Sequence, residues 1–83
     1  MSYFTYILIS EKDCKYYYGY TSNLSERLNR HNSGLVRSTK ARIPLKIHYF
    51  EKFDSKTEAI KREIFFKSID GYNWLRDQNI IVK

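Results

Sequence analysis

The stretch Tyr16-Tyr17-Tyr18-Gly19-Tyr20-Thr21 confines the possible folds more than any other part of this chain. It reads as a strand. Residues two apart on a strand share a face, so Tyr17, Gly19 and Thr21 look one way while Tyr16, Tyr18 and Tyr20 look the other. One face can pack and the other can carry chemistry. Gly19, lacking a side chain, predicts close approach of a large group such as a phosphate between Tyr17 and Thr21. Upstream, Phe4 to Ser10 is dense in β-branched and aromatic residues and reads as a strand buried on both faces. Glu11 to Cys14 is then a turn so short that the strand Lys15 to Thr21 must return antiparallel. With the turn centred near Glu11 and Lys12, Tyr6 and Tyr17 become close cross-strand neighbours on one face. Paired tyrosines on a sheet are ordinarily packing partners.

Two helices and one further strand follow. Asn23-Leu24-Ser25-Glu26 has the layout of a helix cap with an acid three residues on, and Gly34 supplies a stop, which predicts a helix from about Leu24 to Ser33. Leu24 and Leu28 face the core. Arg27 and His31, four apart, lie one above the other on a neighbouring face, where they suit a phosphate-reading pair. Leu35 to Arg42 lacks a period and is basic, as in a loop that tracks a phosphate backbone. Leu45 to Phe53 alternates, with Leu45, Ile47 and Tyr49 set against Lys46, His48 and Phe50, and is the third strand. Ser55-Lys56-Thr57-Glu58 forms a capping box for a second helix running through Ala59, Ile60, Ile64, Phe65, Phe66 and Ile69 to Gly71. Tyr72 to Lys83 adds a short helix and a tail. The fold class is therefore α+β: a small three-stranded antiparallel sheet flanked by helices in the order β-β-α-β-α-α.

At 83 residues the chain reads as one domain, residues 1–83, near the lower limit for a self-sufficient core. Cys14 is the only cysteine, which excludes an internal disulfide and a cysteine-based zinc site and favours a reducing compartment. No leader pattern or apolar run of membrane length is present, so a soluble cytoplasmic protein without membrane contact is expected. The net charge is +6, and from Arg27 to Tyr49 there are six lysines and arginines and no acid. That asymmetry favours a polyanionic partner over a merely solvated basic surface. Arg30, Arg37, Lys40, Arg42 and Lys67 are the expected backbone contacts.

Glu63 is the acid that asks for an explanation. Ala59, Glu63 and Phe66 fall at i, i+4 and i+7, which puts a carboxylate within or at the border of an apolar arc. Unpaired there it costs several kcal/mol, roughly the scale for a buried charge that must find a partner or a metal. A salt bridge to Lys67, Arg62 or Arg27 is the ordinary solution.

The ordered set of Tyr6, the triplet Tyr17-Tyr18-Gly19, Arg27 and His31 on one helix, and Glu58-Ala59-Ile60-Lys61-Arg62-Glu63 followed by Lys67 resembles the GIY-YIG nuclease domain in its compact stand-alone bacterial form. The match spans nearly the whole chain. It departs where Phe4 and Thr5 replace the glycine and isoleucine of the first triplet and where Tyr18 replaces the isoleucine of the second. The resemblance implies divalent-metal-dependent hydrolysis of a nucleic-acid phosphodiester, with DNA as the expected partner. By the same resemblance Glu63 holds one Mg2+ or Mn2+, Arg27 clamps the phosphate, and Tyr6 or Tyr17 positions or deprotonates the water. His31 assists proton transfer or bonds the phosphate, Gly19 shapes the site, and Asn73 or Asn79 matches a late asparagine of many members. Two other readings stand beside it: a catalytically silent nucleic-acid-binding module on the same basic face, and a small interaction protein docking through exposed tyrosines. Repair, recombination and defence are all open to such a nuclease. Cutting both strands asks for a homodimer or two successive events.

Overall fold

The structure, a computed structural model, describes residues 1–82. Its elements are β1 (Tyr3–Ser10), β2 (Tyr16–Thr21), α1 (Leu24–Asn32), a 3-10 turn (Lys40–Arg42), β3 (Leu45–Phe53), α2 (Lys56–Phe66) and α3 (Ile69–Asp77). The three strands form one antiparallel sheet in the order β2-β1-β3, the α+β arrangement expected from the sequence. As the central strand, β1 has neighbours on both edges, and Thr5, Tyr6, Ile7, Leu8 and Ser10 are buried. Among the described residues no helix is long and apolar enough to cross a membrane.

The hairpin register differs from the expected one. The Ser10 amide donates to the Lys15 carbonyl at 2.9 Å, and the Ser10 hydroxyl accepts from the amides of Lys12 and Asp13 at 3.1 and 3.3 Å. Cys14 takes a left-handed conformation with φ 60°. These contacts centre the turn between Lys12 and Asp13. Moving the centre of an antiparallel turn by one residue moves the pairing by two, so Tyr6 lies opposite Gly19 and Tyr17 opposite Leu8. Tyr6 and Tyr17 still share a face, as a shift of two preserves the pleat, but they are diagonal rather than direct neighbours.

Two cores form, one on each face. Tyr6, Leu8 and Leu45 face α1 and pack with Tyr17, Leu24, Leu28 and Ile47. Ile7, Phe66, Leu75 and Ile81 form the other, with Tyr18, Tyr49, Phe65 and Trp74 against them. The alternation expected along β3 is interrupted. A bulge lies between the pairs Ile7–Tyr49 and Leu8–Ile47, so Tyr49 joins the α2 side while Leu45 and Ile47 stay on the α1 side. A bulge adds one residue to one strand and so reverses the side-chain alternation beyond it. Downstream of it, Phe50 lies opposite Tyr6 and Lys52 opposite Phe4, on the α1 face.

The helices start where polar caps dictate. The Asn23 side chain accepts from the Glu26 amide at 3.0 Å, and the Ser55 hydroxyl from the Glu58 amide at 3.2 Å. The continuous helix expected as far as Gly71 is instead two. Lys67 ends α2, and Ser68 caps α3 by accepting from the Gly71 amide at 3.0 Å. Ile69, expected in the apolar arc, is consequently 80% exposed. Gly71 does not stop a helix: it lies in the first turn of α3, where an added Cβ would sit 2.8 Å from the Phe66 Cα and overlap the Phe65 carbonyl. Glycine is required there because α3 folds back onto the end of α2.

Candidate active site

Four residues form a hydrogen-bonded chain running inward from the surface of the α1 face. Arg27 Nε donates to the Tyr6 hydroxyl at 3.1 Å. The Tyr6 oxygen lies 3.3 Å from His31 Nε2, and His31 Nδ1 lies 2.7 Å from the Thr39 hydroxyl. That hydroxyl donates to the Val36 carbonyl at 3.4 Å, so its oxygen accepts the Nδ1 proton. The assignment leaves Nε2 as a lone pair facing the phenol, which donates to it. Tyr6 therefore gives its proton inward and offers its oxygen to Arg27.

Electrostatics agree with this direction. Burial first, then the charges of Arg27 and Arg30, push the His31 pKa down to about 4, so the ring is neutral at pH 7. Burial raises the Tyr6 phenol, only partly offset by Arg27, so it too stays protonated. The Tyr6 hydrogen bond holds Arg27 in its charged form.

Exposure divides the sequence-predicted residues into two groups. Tyr6 is 1% exposed and His31 has no exposed surface, whereas Arg27 and Tyr17 are half-buried and reach solvent. The His31 ring is covered on one side by Tyr17, with centroids 5.0 Å apart. A phosphate-reading role for His31 is therefore not what the structure gives. Sharing a helix face with Arg27 turned the imidazole toward the sheet, and the segment holding Thr39 closed over it. Gly19 also has a different use from the one expected. An added Cβ would meet the Tyr6 hydroxyl and lie 2.6 Å from its Cζ, so the large group admitted above Gly19 is the phenol of Tyr6, not a phosphate.

Thr39 has no exposed surface, and its part in the site was not legible from its neighbours in the chain. It sits in a stretch that reads as a basic backbone-tracking loop. The one available signal was the need of a buried histidine for a partner at each ring nitrogen.

Glu63 stands on α2, and its side chain is 17% exposed with Lys67 Nζ 2.9 Å from Oε2. Its charge is felt at Tyr6, where it favours the protonated phenol. The ordinary ion pair anticipated from the sequence is thus formed at i, i+4, with the carboxylate still reached by solvent. Among the described residues no group of three histidine, cysteine, aspartate or glutamate side chains could enclose a metal ion. The donor set fits a cation that takes one protein carboxylate and fills its remaining positions with water and phosphate oxygens, as Mg2+ does.

The basic residues expected to contact the backbone differ in their engagement. Arg30, Arg37 and Lys40 are exposed. Arg42 is turned back on the hairpin, with Nε 3.5 Å from Asp13 and Nη2 donating to the Tyr16 carbonyl at 3.4 Å. Lys67 is engaged with Glu63. Asn73 is an exposed residue of α3. Asn79 has φ 60° just beyond the end of α3, a conformation that asparagine tolerates better than most residues.

Comparison with known proteins places these features in context. Residues 2–72 match the GIY-YIG catalytic domain. A UPF0213 protein of Bacillus licheniformis is 42% identical over 73 residues, covering 87% of this chain and 74% of that protein. A UPF0213 protein of Streptococcus pneumoniae is 42% identical over 69 residues, covering 81% and 70%. The solution NMR structure of a UPF0213 protein from Bacillus halodurans is similar with a TM-score of 0.55 and 31% identity, covering 94% of this chain and 85% of that one. With the match extending from β1 into α3 and including the segments that carry Tyr6, Gly19, Arg27 and Glu63, the chain belongs to the GIY-YIG catalytic domain family.

Proposed function

We propose that this protein is a divalent-metal-dependent endonuclease that hydrolyses phosphodiester bonds, with DNA as its substrate. The observation that carries the reading is the Arg27 guanidinium, fixed at Nε by a buried phenol 3.1 Å away on a side chain that is itself only half-buried. A cation held at one end by an interior partner presents its remaining N–H groups in a set direction, which suits a phosphate oxyanion. The family match and the net charge of +6 support the same partner. The lone exposed thiol of Cys14 suits a reducing cytoplasm.

In this scheme Arg27 binds the scissile phosphate and stabilises charge that grows in the transition state. Tyr17, the solvent-reaching phenol beside Arg27, orients the attacking water. Tyr6, His31 and Thr39 are positioning residues: the imidazole takes the phenol proton in a hydrogen bond, and the phenol oxygen is thereby turned to Arg27. Glu63 would hold the Mg2+ or Mn2+, which would supply positive charge to the phosphate and its leaving oxygen. Lys67, paired with Glu63 and exposed to solvent, would add positive charge beside that carboxylate for the nucleic-acid backbone. Arg30, Arg37 and Lys40 remain available for further phosphates.

The test is cleavage of end-labelled duplex, branched and single-stranded DNA with Mg2+ or Mn2+, comparing wild type with a chelator control and Glu63→Ala. Cutting that requires metal and disappears in the folded variant supports the proposal. Salt-sensitive binding with no cutting under any condition makes the protein a silent nucleic-acid-binding module instead.

A further inference from the structure

The α1 face of the sheet carries a second feature that the scheme above leaves unused. Gly19, Tyr6 and Phe50 form one row across the three strands, and Thr21, Phe4 and Lys52 form the next. Phe50 is 48% exposed although it lies directly opposite a buried tyrosine. Its ring meets Phe4 edge-on, with centroids 5.9 Å apart and planes at 73°. The bulge at the Tyr49 step sets the side-chain alternation that places Phe50 on this face. Phe4, moreover, stands at the position of the first glycine in the triplet that ends at Tyr6. A bulky apolar residue there supports an exposed ring.

From these observations, and resting on the nuclease reading of the Arg27 site, we propose that Phe50, braced by Phe4, is a stacking platform for an unpaired base next to the phosphate held by Arg27. The preferred substrate is then a strand with an unpaired segment at the cut, rather than continuous duplex. Phe50 lies two strand spacings from Gly19, roughly 10 Å across the sheet, a span that one or two nucleotides cover. Lys52, exposed in the adjoining row, supplies the positive charge that a strand crossing this face needs. An exposed aromatic ring beside basic groups is the combination by which single strands are held without regard to sequence. Bases inside a duplex are already stacked and have no face to offer.

The experiment uses the full chain with EDTA present, so that binding is read without cutting. The probes are a blunt fluorescein-labelled 16-base-pair duplex and the same duplex with a six-thymidine single-stranded tail. Wild type is expected to prefer the tailed probe, and Phe50→Ala to lose about tenfold on the tailed probe and little on the blunt one, the scale of one base–aromatic stack. Because Phe50 is half-exposed, its truncation leaves both cores in place. As an independent reading, Phe50→Trp keeps the preference, and its added indole fluorescence is quenched by the tailed probe and not by the blunt one. Equal binding of both probes by wild type and Phe50→Ala, or an unquenched Phe50→Trp, overturns the platform while leaving the nuclease reading intact. Absence of wild-type binding to either probe at low salt overturns both.

Discussion

Replacing Gly19 with alanine tests whether the site is built from the inside outward. The added Cβ would lie 2.6 Å from Tyr6 Cζ and 3.2 Å from Cε1, whereas ordinary carbon contacts begin near 3.5 Å. The ring must retreat by about 1 Å, and Tyr6 is buried in the core with Leu8 and Leu45, so little room exists for it. Overpacking of this kind costs about 1–3 kcal/mol, which lowers Tm by roughly 5 °C or more in a domain of this size. The same retreat draws the phenol oxygen away from Arg27 and His31, now 3.1 and 3.3 Å from it. Losing a hydrogen bond to a charged group is worth about 1.5–3 kcal/mol, so cleavage should fall about ten- to a hundredfold. The assay is a double-mutant cycle with Tyr6→Leu, read by thermal melting. Leucine ends short of the phenol, so in that background Gly19→Ala should cost less than about 0.5 kcal/mol. An equal cost in both backgrounds would refute the assignment of Gly19 to the phenol.

Thr39→Val leaves the His31 Nδ1 proton without its partner and should cost about 1–3 kcal/mol, with Thr39→Ser restoring most of it; urea denaturation and the nitrogen-15 shifts of the imidazole report both. His31 is neutral in the fold, with a pKa of about 4 against 6.5 when unfolded, so the unfolded chain binds more protons between those values. Its contribution is complete above about pH 6.5 and declines as pH falls toward 4, by about 3 kcal/mol at about 1.4 kcal/mol per pH unit. The wild-type stability profile minus that of His31→Gln should show this slope, and parallel profiles would count against it. Gly71→Ala drives a Cβ into the Phe65 carbonyl and toward the Phe66 Cα. Backbone cannot rotate aside as a side chain can, so a loss of about 3 kcal/mol or more is expected in chemical denaturation.

Much of the fold was legible because local signals and hydrophobic period agreed. Leu45 to Phe53 is the strand its alternation predicts, and Asn23 and Ser55 cap the helices their sequences announce. The failures have separate physical causes. A hairpin register depends on turn geometry, and the hydrogen bonds of Ser10 with the turn are invisible in a list of β-formers. The bulge at Tyr49 is set by pairing with β1, which no local alternation reports. The break at Lys67 and Ser68 lay inside a run apolar enough to hide it, although serine three residues before Gly71 was a usable cap. In the candidate site, residue types and spacing singled out Tyr6, Tyr17, Arg27 and Glu63 as candidates. Their order from surface to interior was not legible, since whether a phenol or an imidazole faces solvent is decided by Thr39 and Gly19.

The central claim is that an interior hydrogen-bond chain aims Arg27 at a phosphate, and Arg27→Lys measures it most directly. Lysine keeps the charge and loses the fixed planar donor set. Single-turnover cleavage of labelled DNA with Mn2+ should fall by about a hundredfold or more, the scale of losing one oriented donor at the developing charge, while melting temperature and salt-dependent DNA affinity stay close to wild type. A cleavage rate within about threefold of wild type would mean that charge alone suffices, and that the Tyr6, His31 and Thr39 chain serves only the core.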